Sequence, residues 1–194
     1  MSALTATVVQ DTRAWLERAV IGLNLCPFAK AVHVKGQIHY AVSEASDAEA
    51  LLHDLVQELK ALLAHDSSVR DTTLLIAPHC LQAFLDFNNF LGRADQALVD
   101  LGLEGVIQIA SFHPAYQFAG TRPDDITNFT NRAPYPTLHL LREASIDRAV
   151  QAFPEAEMIF ERNMQTLQAL GHAGWQALSV GASLAGAPPE KSKP

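Results

Sequence analysis

TTLLIAPHCLQAFLDFNNFLGRADQALVDLGLEGVIQIAS, residues 72–111, begins and ends on a short run rich in β-branched and aliphatic residues. The two runs, 72–77 and 106–111, are too short for helices and fit strands, the first as a strand buried on both faces. Between them Phe84, Leu85, Phe87, Leu91 and Leu98 recur at helical spacing. That helix is expected to open at Pro78-His79, with Cys80 in its first turn, and to close near Gly102. A strand, a helix and a second strand in succession argue for parallel strands joined by a crossover.

Working outward, the flanks extend the same alternation. Residues 37–42 alternate, with Ile38, Tyr40 and Val42 on one side, and read as a strand. Ser46-Asp47-Ala48-Glu49 reads as a capping box with Ser46 at the N-cap. It opens a helix to about His65 that carries Leu51, Leu55, Leu59 and Leu62 on one face. Upstream, residues 7–23 form an amphipathic helix that ends before Pro27. Downstream, TLHLL (137–141) is a fourth strand. Ser145 caps a helix broken at Pro154, and a last helix, 155–170, stops at Gly171 as a left-handed C-terminal glycine. The expected fold is α/β (or α+β). It is a single-domain sandwich with a mixed sheet of about four strands, the first three parallel and the fourth antiparallel.

The chain has 194 residues, 48% hydrophobic and 18% charged, which suits one packed domain over 1–185 and a disordered tail over 186–194. Lys+Arg number 14 against 21 Asp+Glu, a net charge of −7. Proteins that neutralise nucleic-acid phosphates carry a basic surplus, so no nucleic acid is expected as partner. No apolar run reaches the roughly 18 residues of a membrane span, and the N-terminus lacks the pattern of a signal peptide. Cys26 and Cys80 are the two cysteines, read as reduced thiols in a cytoplasmic protein.

One segment exceeds what the scaffold needs. HPAYQFAGTRPDDITNFTNRAPYP, residues 113–136, joins the third strand to the fourth. Connections longer than about 12–15 residues are usually functional or disordered. Tyr116, Phe118, Phe129 and Tyr135 argue against disorder, and Pro114, Pro123, Pro134 and Pro136 stiffen the chain. Ligands of open α/β sheets bind outside the carboxyl ends of the strands. That rim is expected to gather His79, Cys80, His113, the loop and the start of the fourth strand with His139.

NLCPFA (24–29), SFHPAYQF (111–118), DDITNFTNRAPYPTLHLLRE (124–143) and FERNMQTLQALG (160–171) together resemble domain-of-unknown-function family 1415, mostly bacterial proteins of about this length. Ala133 is one departure, at a position where the family pattern carries serine. The resemblance implies a single domain and no particular activity, substrate or cofactor.

The chemistry therefore rests on residue types. Arg132 offers a planar fork that fits a carboxylate or phosphate, with Asn128, Asn131 and Tyr135 as further ligand-binding groups. His113 is the candidate proton-transfer group and Cys26 the candidate nucleophile or redox thiol. The leading reading is an enzyme acting on a small anionic metabolite. The alternatives are a metal-, haem- or peptide-binding module, with Cys26, His113 and His139 as candidate ligands, or a loop that only completes the fold. No CxxC, HxH, HExxH, P-loop, GxGxxG or GxSxG spacing occurs, so no cofactor is specified.

Overall fold

Four strands pair side by side in the computed structural model, which describes residues 2–153 and 155–183. The expected tail at 186–194 and the expected break at Pro154 lie outside the described residues. The strands are β1 (Ile38–Val42), β2 (Thr72–Ile76), β3 (Ile107–Phe112) and β4 (Thr137–Arg142), in the order β1-β2-β4-β3. β1 is parallel to β2, and β4 is antiparallel to both β2 and β3. The first three strands thus share one direction, as the sequence implied. β3 reaches its place by stepping over the position that β4 fills, so it never bonds to β2.

Helices cover both faces. α3 (Ala48–Ala64) and α4 (Phe84–Asp100) lie on one face, where Leu51, Leu55, Leu59, Leu62, Phe87 and Phe90 meet Leu75, Ile107, Leu138 and Leu140. Each of those α3 leucines is fully buried, worth roughly 1.5–3 kcal/mol relative to exposure. α1 (Ala3–Trp15) and the π-helical turn that continues it (Leu16–Ile21) cover the other face. There Val8, Trp15, Leu16 and Ala19 are buried in two clusters that also take up Leu74, Ile76, Ile38 and Tyr40. All five residues of β2 are buried, the expected state of a strand covered on both sides.

Several boundaries differ from the expectations. The first helix begins at Ala3, and a short helix not foreseen, α2 (Ala29–Val34), follows Pro27. The cap of α3 is Asp47, whose carboxylate accepts from the Ala50 N–H at 2.9 Å, rather than Ser46. α4 starts at Phe84, so Cys80 lies in the turn before it and receives no help from a helix N-terminus. Chain reversal there uses Leu81 in the left-handed region, φ 53°. β4 runs directly into α5 (Glu143–Gln151), and Ser145 bonds to Asp71 at 2.6 Å instead of capping. α6 (Ile159–Ala177) continues past Gly171, which takes the expected left-handed φ of 64° as a kink rather than an end.

Candidate functional site

The loop over 113–136 is ordered by its own side chains. Asp125 caps a 3-10 turn (Ile126–Asn131) by accepting from the Thr127 N–H and hydroxyl at 2.9 and 2.7 Å. Asn128 is fully buried. Its oxygen accepts from the Phe118 N–H and the Thr121 hydroxyl, and its amide donates to the Arg122 carbonyl at 2.8 Å. Asn131 donates to the Ser111 carbonyl at 3.1 Å, and the His113 N–H donates back to the Asn131 carbonyl. The Tyr135 hydroxyl donates to the buried Asp11 carboxylate at 2.7 Å. The three groups expected beside Arg132 in ligand binding therefore hold the loop together.

His113 is 1% exposed and wedged between Phe84 and Phe87, ring centroids 5.5 and 5.1 Å away. Its Nδ1 accepts from the Ala115 N–H at 3.0 Å and its Nε2–H donates to the Leu81 carbonyl at 3.1 Å. Both nitrogens are committed to backbone, which fixes the neutral Nε2–H tautomer. Burial pushes its pKa below the ordinary histidine value, and the charge of Arg132 pushes the same way. A ring so engaged has no nitrogen left for proton transfer or for a metal.

Cys26 packs against the cluster of Trp15 and Phe112, on the face of the sheet opposite Phe87 and His113. Burial pushes its thiol pKa up, with the Phe28 and Ala29 N–H groups pulling the other way. The fold does not bring Cys26 and His113 together. Burial also raises the thiol pKa of Cys80, and the charges of Asp47 and Asp54 add to the effect. His139 sits on the Phe112 face, its Nε2–H 2.8 Å from the Thr72 hydroxyl, which itself donates to the Leu140 carbonyl. Burial pushes its pKa down to about 4. Cys26, His113 and His139 do not form a ligand set. Among the described residues no three His, Cys, Asp or Glu side chains are grouped to hold a metal ion.

Arg132 is different. Its Nε–H donates to the Tyr116 carbonyl at 3.2 Å and its Nη2 to the Pro123 carbonyl at 2.6 Å, and its guanidinium carbon lies 4.2 Å over the Phe129 ring. No carboxylate among the described residues pairs with it, and its Nη1 donors have no protein acceptor there. Burial lowers its pKa, yet a guanidinium stays charged at any physiological pH. This half-buried cation lines a cleft of about 230 Å³ with Trp15, Phe129, Pro134 and Trp175, and segment 180–182 forms one wall. The cleft lies off the carboxyl end of β3, at the rim the sequence pointed to. There Phe112 pairs with Thr137, and the Ala77 N–H bonds to the Pro136 carbonyl. A second cleft of the same volume is lined by Asn24, Pro27 and Arg162, but Arg162 is ion-paired to Glu155.

Trp15 and Trp175 were not among the sequence-derived candidates. They come from α1 and α6, remote from the loop in sequence. One signal was readable: they are the two tryptophans of the chain. No helix among the described residues is long and apolar enough to cross a membrane. A family model described as a protein of unknown function, DUF1415, matches residues 7–177. No curated protein and no solved structure matches the chain.

Proposed function

The chain belongs to the DUF1415 family, and for the site that such a chain carries here we propose the binding of a small anionic metabolite in the Arg132 cleft. The observation that carries this reading is a half-buried guanidinium that lines a cavity and lacks a carboxylate partner. Burying a charge without compensation is costly, and an incoming anion supplies the missing partner. The Tyr116 and Pro123 carbonyls fix the fork in place, so little side-chain entropy is lost when the anion arrives.

Binding is favoured over the enzymatic use of the anion. Among the described residues lining the cleft there is no Cys, His, Ser, Asp or Glu to act as nucleophile or proton carrier. His113 and Cys26 are held elsewhere by the contacts described above. Both cysteines are free, which supports a reducing, cytoplasmic setting for such a module.

The test is a thermal-shift panel of small carboxylates, phosphates and sulfonates. A ligand at a hundredfold excess over its Kd stabilises by about 2.7 kcal/mol, or roughly 5–10 °C in Tm for a chain of this size. At least one anion is expected to give such a shift in the wild type, and Arg132→Gln is expected to lose it. A panel in which no anion raises Tm would sink the reading.

A further inference from the structure

We infer that the anion is a small, flat monocarboxylate whose body is a single aromatic ring; this inference rests on the anion-binding reading of the Arg132 cleft. The lining argues for one negative charge. Among the described residues Arg132 is its only cation, and the other described lining side chains are apolar or aromatic. A phosphate dianion placed there would meet one guanidinium and leave its second charge uncompensated against apolar walls. A carboxylate has two coplanar oxygens that match paired guanidinium N–H groups. Nη1 is the part of the fork with no protein acceptor among the described residues.

The walls argue for the flat body. Trp15, Phe129 and Trp175 all border the cleft, and Phe129 and Trp175 meet edge to face, ring centroids 5.0 Å apart at 71°. Phe129 also carries the guanidinium over its ring. An anion on Arg132 thus lies beside aromatic surface, where a ring gains offset-stacked or edge-to-face contacts that an alkyl chain does not. Size bounds the ligand from above. A volume of about 230 Å³ falls below the range of about 300–1,000 Å³ typical of sites for drug-sized molecules. Ala133, Gly181 and Ala182 also line the cleft, and none of these three carries a bulky side chain.

The cleft carries its own reporter, because both tryptophans of the chain line it. Tryptophan fluorescence of the full chain is titrated with benzoate, and in parallel with acetate, cyclohexanecarboxylate, inorganic phosphate and the neutral benzamide. Benzoate is expected to give a saturable change at lower concentration than any of the others, with benzamide inert. Arg132→Gln is expected to weaken benzoate by about 10- to 100-fold, the range for losing a charged hydrogen-bonding partner. Because Arg132 also holds two loop carbonyls, Gly181→Leu serves as a second variant. It adds bulk at the wall where a β-carbon meets nothing within 4 Å, and leaves Arg132 untouched. It too is expected to weaken benzoate. If acetate or phosphate binds as tightly as benzoate, the aromatic class is overturned while the anion reading stands. If no anion changes the fluorescence, or benzoate binds both variants as it binds the wild type, both fall.

Discussion

His139 shows what a half-buried, hydrogen-bonded imidazole does to stability. Its ring is neutral, donates to Thr72, and has a pKa pushed down to about 4 by burial. The unfolded chain binds a proton there near the ordinary histidine value of about 6.5. Between those two values the unfolded state holds more protons than the folded one, so stability is full above pH 6.5 and falls as the pH drops towards 4. The loss reaches at most about 3 kcal/mol from this one ring. His113, shifted the same way by burial, adds to it. Urea denaturation between pH 7.5 and 4.5 is expected to show the decline, and His139→Gln to flatten it. A midpoint equally steep in the variant would remove His139 as its source. From the sequence His139 stood as a candidate metal ligand at the rim, and the sequence did not show its bond to Thr72. It did not show the state of His113. A histidine before a proline at a strand end looks the same whether its nitrogens face a substrate or, as here, two backbone groups brought from 32 and two residues away.

At the scale of elements, long periodic segments were legible and irregular ones were not. α3 and β2 announce themselves through four stacked leucines and an unbroken apolar run. The start of α4 does not, because Pro78 permits a first helical turn that Leu81 in the left-handed region then prevents. The segment 178–183 after α6 had no pattern at all, yet it walls the cleft. It is pinned at both ends. Arg18 Nη1 donates to the Leu178 and Ser179 carbonyls at 3.2 Å each, and the Ser183 N–H and hydroxyl donate to Asp11 at 2.8 and 2.6 Å. Asp11 also accepts from Tyr135, so one buried carboxylate ties this segment to the loop that carries Arg132. Asp11→Asn keeps one acceptor where three donors converge and is expected to cost about 1–3 kcal/mol. It is also expected to raise acrylamide quenching of Trp15 and Trp175, since the wall beside them loosens. Destabilisation with quenching unchanged would mean that Asp11 supports the core without holding the wall.

Across the whole molecule, strand directions were readable and strand order was not. Periodicity and connection length say that β4 returns antiparallel, but nothing local says that it inserts between β2 and β3. That insertion has a consequence for the loop. Phe112 and Thr137 are paired neighbours, so residues 113–136 leave and re-enter the sheet at one point, where a two-residue turn would suffice. The loop is therefore dispensable for the sheet, and its contacts show what it is for. Phe129 packs against His172 and Trp175 of α6, and Phe118 against Phe160. The cluster under α3 and α4, by contrast, meets the loop at its edge, where His113 packs against Phe84 and Phe87 and Tyr116 against Phe84. Joining Phe112 to Thr137 through Asn-Gly should leave a folded sheet with α3 and α4, less stable because Phe84 and Phe87 lose the His113 ring between them. In that chain α6 loses its seat. Hydrogen exchange is expected to show α3 and β2 still protected and α6 exchanging freely, with Trp175 emission shifted to the red. Protection of α6 equal to that of the intact chain would mean that its docking comes from elsewhere, for example from the bond of Asn163 to the Leu25 carbonyl. The joint outcome, a stable sheet with a released helix and no Arg132 cleft, would place the loop as the piece that turns a scaffold into a site.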